Sequence, residues 1–589
     1  MAVEKLIADH IDTWTTALQT RSTAGRGSSG KIDLYGIKKL RELILELAVR
    51  GKLVPQDPND EPASELLKRI AAEKAELVKQ GKIKKPKPLP EISEEEKPFE
   101  LPIGWEWVRL EKISTRIGSG STPKGGKNVY LETGVPFLRS QNIWNHGIKL
   151  EDIAFISSQT HNNMSNTHVM PNDILLNITG ASLGRCSIFP KTISEANVNQ
   201  HVTIIRLVSE DYVPFIHLAI ISPVIQREIW HRQVGMAIEG LSKKSLESFI
   251  FPIPPKNEQE SINKKVTELM SLCDQLEQHS LTSLDAHQQL VETLLTTLTD
   301  SQNADELAEN WARISEHFDT LFNTEASIDA LKQTILQLAV MGKLVPQDPN
   351  DEPASELLKR IAQEKAQLVK DGKMKKQKPL LPISDEEKPF ELPDGWEWCR
   401  VSEVAMFTTS GSRDWAKYYS ESGALFVTMG NLSKDSYDLR MDNLRYVNPP
   451  ENGEGLRTKL EPFDLIISIT GDVGNLGLIP EDLGLAYINQ HSCLLRFIPT
   501  CRNYYFPELM RSPLAKLQFN APQRGIKNSF RLSDVETIVI PLPPYKEQIL
   551  IAEKIRVLMN ICDVLRASIQ SAQQTQLHLA DALTDAAIN

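Results

Sequence analysis

The 21-residue string "GKLVPQDPNDEPASELLKRIA" stands at residues 51–71 and again, unchanged, at 342–362, an offset of 291. At that offset residues 45–110 match 336–401 at 53 of 66 positions. A second echo follows each copy: "FPIPPKNEQESINKKVTELMSLCDQLEQ" at 251–278 corresponds to "IPLPPYKEQILIAEKIRVLMNICDVLRA" at 540–567. One unit is therefore used twice. The blocks between these shared ends agree only in fragments, notably "DILLNITG" with "DLIISITG", "NQH" at 199–201 with 489–491, and "ETGVPF" with "ESGALF". Related frameworks with divergent details suit two copies of one fold that read two different ligands, since only the residues not held in common can discriminate.

A chain of 589 residues is too long for one core and predicts about three to five structural units. It contains no run of about 18 apolar residues. The start, "MAVEKLIADHIDTW", mixes charge into an amphipathic pattern where a signal peptide needs an unbroken apolar stretch. No membrane span and a cytoplasmic location are expected. Six scattered cysteines form no CxxC pair and the histidines no HExxH, so buried thiols and packed or hydrogen-bonded histidines are expected, with no metal site. A net charge of -11 argues against a nucleic-acid partner until its distribution is read. Residues 105–255 hold 14 Lys+Arg against 12 Asp+Glu, and 396–544 hold 15 against 17. The negative charge thus lies in the connectors.

Periodicity supplies the coarse structure. Ile262, Val266, Leu269, Cys273 and Leu276, then Leu284, Leu290, Leu294 and Leu298, predict a long amphipathic helix, spanning about 60 Å if helical over 257–298. Ile549, Ala552, Ile555, Leu558, Cys562, Leu565 and Ile569 predict its counterpart, and stripes at 37–47 and 328–338 can cover both seams. Short β-rich runs at 174–178, 202–207, 465–469 and 537–540 make each block a mixed α/β (α+β) domain of about 150 residues. The expected order is an amino-terminal arm with a mobile Gly/Ser link (1–30), a repeated helical region (31–104), a first block (105–255), a spacer with the second repeat (256–395), a second block (396–544) and a last helix (545–589).

With these motifs in place the chain resembles the specificity (S) subunits of type I restriction–modification enzymes, most closely the IB, EcoAI-like subgroup. The likeness rests on the duplicated "GKLVPQDPNDEPASELLKRI", the openings "LPxGWEW" at 101–107 and 392–398, the run "GSGSTPKGG...ETGVPF" at 118–137, and the closings "PIPPKNEQ" and "PLPPYKEQ". It implies two similar target recognition domains separated by long antiparallel amphipathic helices in a pseudo-two-fold repeat. Each domain would read one half of a bipartite site in double-stranded DNA. The helices would set the spacing and dock two modification (methyltransferase) subunits, joined by restriction subunits for ATP-dependent cleavage. AdoMet, ATP and Mg2+ would belong to those partners, and this chain would bind no cofactor and catalyse nothing.

Three fragments invite a catalytic or docking reading. "GSGSTPKGGK" departs from a phosphate-binding loop at Ser121 and Asn128, and reads better as a glycine-rich turn beside the DNA backbone. "NPPE" at 448–451 lacks at Glu451 the aromatic ring that grips a flipped base in amino-methyltransferases, so a surface turn is favoured. The basic runs "KIKKPKP" (82–88) and "KMKKQKP" (373–379) precede acidic segments that partly cancel their field; a solvated face competes with docking to a modification subunit or to phosphates. The competing functions are a stand-alone adenine methyltransferase and a coiled-coil protein-interaction scaffold.

Base readout needs Arg or Lys for guanine and Asn or Gln for adenine, on loops beside a rigid sheet. "LRSQNIWNHG" (138–147) offers Arg139, Gln141, Asn142 and Asn145, while its counterpart "VTMGNLSKDS" (427–436) offers Thr428, Asn431 and Lys434, and the neighbouring "SGSRDWAKYY" adds Arg413 and Lys417. The same residue types also serve as turn formers. Ser119, Ser121, Lys124, Lys243, Lys244, Arg524 and Lys527 are candidates for the phosphate backbone. Thr179, Gly180, Asn199 and Gln200, with Thr470, Gly471, Asn489 and Gln490, recur in both blocks and are expected to keep the fold or make a common backbone contact.

Overall fold

The computed structural model describes residues 3–21, 31–125, 129–232, 240–413, 415–450, 455–520 and 530–589. The repeat builds the same corner twice. Helix Tyr35–Val49 stops at Gly51, whose φ of +68° suits glycine, and the chain passes through "LVPQDPND" into helix Ala63–Lys79. That second helix has no side-chain cap; the Ala63 N–H instead donates to the carbonyl of Gly104 in "GWEW" at 2.8 Å. The copy repeats this with helices Glu325–Val340 and Ala354–Lys370, Gly342 at φ +69°, and an Ala354 N–H bond to Gly395.

What the identical letters do is clearest at one carboxylate per copy. The Trp105 indole N–H donates to Glu258 Oε2 at 3.0 Å, and Gln56 Nε2 donates to Glu258 Oε1 at 3.3 Å. In the second copy Trp396 and Gln347 donate to Glu547 at 2.9 and 3.2 Å. Thus "GKLVPQ", "GWEW" and "PPxxEQ", far apart in sequence, meet at one buried acid. Its neighbours leave no slack: a Cβ on Gly51 would lie 2.5 Å from Pro102 and 2.9 Å from the Trp105 ring, and one on Gly342 2.4 Å from Pro393. Burial pushes both carboxyls above their ordinary value of 4.5, against the pull of the indole hydrogen bonds.

Each block closes on itself by pairing its first strand with its last. Glu106–Arg109 runs antiparallel to Ile250–Ile253, and Glu397–Arg400 to Val539–Leu542. Arg109 at the end of the first strand is buried and forks onto both oxygens of Glu96 at 3.0 Å, while Arg400 holds Glu387 at 3.0 and 3.1 Å. Inside the first block lie two four-stranded sheets. One is ordered Cys186–Ile188, Ile174–Asn177, Val202–Leu207, Ser114–Ser119, all antiparallel; the other is ordered Ala154–Ile156, Val135–Leu138, Ala196–Val198, His168–Val169, with a parallel pair at its centre. The second block repeats the antiparallel sheet; its other sheet is ordered Tyr419–Ser420, Tyr446–Val447, Ala424–Val427, Ala486–Ile488, so the parallel pair recurs but lies at an edge. Strands expected at 174–178, 202–207 and 465–469 are present; the fourth starts at Val539, because Leu532–Thr537 is a helical turn.

Two helices dominate the remainder, Lys256–Asp300 with 45 residues and Tyr545–Ile588 with 44. Each contributes to both compact units of the chain, one holding Met1–Thr23, Ser29–Thr282 and Gln573–Asn589, the other Ser283–Ala572. In the first unit Arg41 of helix Tyr35–Val49 pairs with Asp274 and Glu277 at 2.7 and 2.8 Å, and Tyr35 donates to Asp581 at 2.7 Å. In the second, Lys332 pairs with Asp563 and Arg566 with Asp329, over a core that joins Leu295 and Leu298 to Ile328, Leu331, Ile551 and Ile555. The shorter stripes therefore cover the long helices as expected.

Two details of the stripes differ. Leu290 is 51% exposed, and Val291 and Leu295 are buried in the seam with the expected Leu298, the expected Leu294 packing at its side; along the last helix Ile551 and Met559 join it. The stretch 285–289, with Ala286 as its one apolar residue, leaves the phase unmarked. Of the expected Gly/Ser link "RSTAGRGSSGK", 21–31, the stretch 22–30 lies outside the described residues, while its ends Arg21 and Lys31 pair in a short two-stranded sheet. No helix among them is long and apolar enough to cross a membrane.

Replacing Trp105 or Trp396 with Phe removes one charge-assisted hydrogen bond while keeping the ring, and should lower the stability of its unit by about 1.5–3 kcal/mol in urea unfolding. The Arg109 hydrogen bonds hold Glu96 down to about 2, and Glu387 is lowered as well, first by its bond to the Ser384 backbone. A depressed carboxyl stabilises the fold above its ordinary 4.5 and loses that contribution as pH falls toward the folded value. Stability should therefore decline between pH 4.5 and about 2 in the native chain, and the double variant Glu96→Gln, Glu387→Gln should show a flatter profile there by thermal unfolding.

Candidate nucleic-acid interface

The expected DNA-contacting residues of the first block converge on one rim, because the strands that carry them end on the same side. Ser119 ends a strand, Arg139 follows the end of Val135–Leu138, Thr179 follows Ile174–Asn177, and 199–201 link Ala196–Val198 to Val202–Leu207. Backbone bonds tie these loops together: Ser121 N–H to Val198 O at 3.1 Å, Asn199 N–H to Leu138 O at 3.1 Å, and Leu241 N–H to Ile178 O at 2.9 Å. Gly120 sits against this junction so closely that a Cβ would meet Val198 O at 2.0 Å, and Gly411 meets Ile488 O at 2.1 Å in the second block.

Beneath the rim the shared fragments are explained. In "DILLNITG" and "DLIISITG", Asp173 and Asp464 accept both ends of the guanidinium of Arg206 and Arg496 at 2.6–2.7 Å. Thr179 and Thr470 bond His201 Nδ1 and His491 Nδ1 at 2.6 and 2.8 Å; Asn199 and Asn489 accept the backbone N–H of those histidines, and Gln200 and Gln490 reach their Nε2. The recurrent residues form one hydrogen-bonded chain in each block, with the histidine, passed over as a site residue by the sequence reading, at its centre.

The candidates for base contact divide by environment. Asn142 and Asn431 are corrected to structural roles: they are 1% and 5% exposed, each side-chain oxygen accepts a backbone N–H three residues back, and each amide donates to carbonyls of the following loop, Lys149 and Arg440. Nothing of either amide is left for a base edge. Thr428 donates its hydroxyl to Asn431 at 3.0 Å and belongs to the same turn. Asn145 is exposed, yet its oxygen accepts the Cys186 N–H at 3.0 Å. Gln141, Lys434, Arg413 and Lys417 stand exposed on the loops. Arg139 is half-buried, donating to Asp152 O at 2.8 Å while its Nε has no hydrogen-bond partner.

Of the backbone candidates, Ser121, Lys124 and Lys244 are exposed at the rim, Ser119 shares a hydrogen bond with Thr203, and Lys243 faces Glu247 at 3.5 Å. Arg524 and Lys527 lie outside the described residues, as does Glu451 of "NPPE", whose Asn448 donates to Ser422 O in a surface turn. Lys84, Lys85, Lys375 and Lys376 of the basic runs are exposed. Sequence reasoning also missed Trp144, Lys149 and Arg185: the Arg185 guanidinium and the Lys149 ammonium lie 3.8 and 4.2 Å from the Trp144 ring centre. Arg185 is forty-one positions beyond the tryptophan, and no local pattern joins them.

Six buried free thiols complete the chemical inventory, and burial raises all six above the ordinary thiol range. Among the described residues no group of three or more His, Cys, Asp or Glu could hold a metal ion.

The model of the type I restriction modification DNA specificity domain matches residues 102–286 and again 393–573. Over the whole of both chains the protein is 50% identical to the type I restriction enzyme EcoAI specificity subunit of Escherichia coli and 48% identical to the EcoEI specificity subunit of the same organism. A chain in a solved structure concerning complex assembly and conformational transition of the type I R-M system aligns over 84% of this chain and 99% of its own, at 17% identity and a TM-score of 0.47. The chain thus belongs to the specificity subunits of type I restriction–modification enzymes, in the EcoAI-like IB group, and is a non-catalytic subunit that supplies DNA sequence specificity.

Proposed function

We propose that the blocks at 105–255 and 396–544 are target recognition domains, each applying its rim to one half of a split site in duplex DNA. The observation that carries this reading is that one rim is built twice on a common scaffold while the side chains at equivalent places differ, Arg139 against Thr428, Gln141 against Gly430, and Asn145 against Lys434. Gln141, Arg413, Lys417 and Lys434 face base edges; Ser121, Lys124 and Lys244 face phosphates, together with Lys243 and Ser119. The long helices dock two modification subunits, which supply AdoMet-dependent adenine methylation, and restriction subunits join for ATP- and Mg2+-dependent cleavage. The complex acts on DNA in the bacterial cytoplasm.

Exchange of residues 105–255 for the block of another family member, followed by genome-wide mapping of methylated adenines, should change one half of the methylated motif and leave the other intact. A change in both halves, or in neither, refutes the assignment. The near-neutral blocks bring little charge to phosphate neutralisation, so the isolated chain should bind its site far more weakly than the chain with modification subunits. Equal nanomolar affinity in a titration would refute this dependence.

A further inference from the structure

The aromatic cluster on the first rim holds two cations without an anion. Trp144 is fixed by its own indole N–H, which donates to Gln141 O at 2.8 Å, and by the short strand pair Ile143–Trp144 with Gly147–Ile148. Arg185 and Lys149 lie against this one ring, yet among the described residues neither side chain has a carboxylate or other hydrogen-bond acceptor. Elsewhere in the block Arg109, Arg206 and Arg232 are matched to Glu96, Asp173 and Glu228, while Arg116 and Arg139 donate to the backbone carbonyls of Asn166 and Asp152. Two like charges gathered on one aromatic ring, the guanidinium N–H donors without an acceptor among the described residues, form a site awaiting acceptors. Stacking on the ring restricts the guanidinium plane, so less freedom is lost when the fork binds.

The duplicated scaffold tells whether the cluster is common or discriminating. Asn142 and Asn431 pin the carbonyls of Lys149 and Arg440 in the same way, and the Asn177 N–H to Arg185 O bond recurs as Ser468 N–H to Asn475 O. These bonds equate Trp144, Lys149 and Arg185 with Ser433, Arg440 and Asn475. A cation is kept at one position, while the ring and the guanidinium are replaced by a hydroxyl and an amide. The kept cation fits a backbone contact common to both halves; the replaced pair fits base reading.

Building on the proposed function, we infer that Arg185, braced by Trp144, reads a guanine in the half-site of the first block through its paired donors to O6 and N7. The test uses the chain assembled with its modification subunits and duplexes bearing the methylated motif mapped in cells, each base pair of the first half substituted in turn. Arg185→Gln should lower discrimination at one G·C pair roughly ten- to a hundredfold, leaving the second half-site and the unfolding midpoint unchanged. Arg185→Ala should relax the same pair. Full discrimination retained at every pair overturns the inference. So does a uniform loss of affinity with a shallower salt dependence and no relaxed base, which would make Arg185 a phosphate contact. A wild-type complex that methylates without a split motif would instead sink the underlying reading, a result separable from either.

Discussion

A single buried carboxylate in each half organises the molecule. Glu258 and Glu547 each sit where a helical repeat, the opening of a block and the start of a long helix come together, and each gathers a tryptophan N–H and a glutamine amide from the two other segments. Burial disfavours the charged acid, and the two donors offset that cost only if all three segments are in place. The contact therefore enforces correct assembly as much as it stabilises, and it accounts for sequence identity over stretches with no surface role. Gly51 and Gly342 are part of the same constraint, since any side chain there would collide with the proline and tryptophan that shape the pocket.

Much of this was legible in the letters. Duplication showed two halves, heptad-like stripes showed the long helices, and the loops proposed for base contact in the first block lie together at one rim of that block. What escaped notice was set by contacts between distant residues. Asn142 and Asn431 have the composition of base readers, but their amides are consumed by loop carbonyls, and only the fold reveals those acceptors. Arg185 looks unremarkable in "ASLGRCS" until the strand that follows it lies beside Trp144. Leu290 looks like part of the stripe, yet its neighbour Val291 is the buried residue, and between 285 and 289 only the small Ala286 is apolar, too little to mark the phase.

The rims separate two demands that compete in any reading protein. Positions that must hold geometry, the Thr–His–Gln chain, the Asp–Arg pairs and the two glycines, are kept in both blocks. Positions that meet a ligand are free to differ. Because the fixed set hydrogen-bonds largely within itself, altering a loop side chain leaves the sheets intact, and new specificities can be explored without refolding the domain.

The long carboxyl-terminal helix carries a further consequence, for synthesis. The first compact unit includes Gln573–Asn589, and Tyr35 near the amino terminus bonds Asp581. On the ribosome that unit must wait, its seam uncovered, while about 290 intervening residues are made, roughly 15–60 s at bacterial rates. During that interval Tyr35 and Lys39 lack their partner Asp581, although Arg41 of the same helix can already hold Asp274 and Glu277, so completion of the first half is timed by translation of the second.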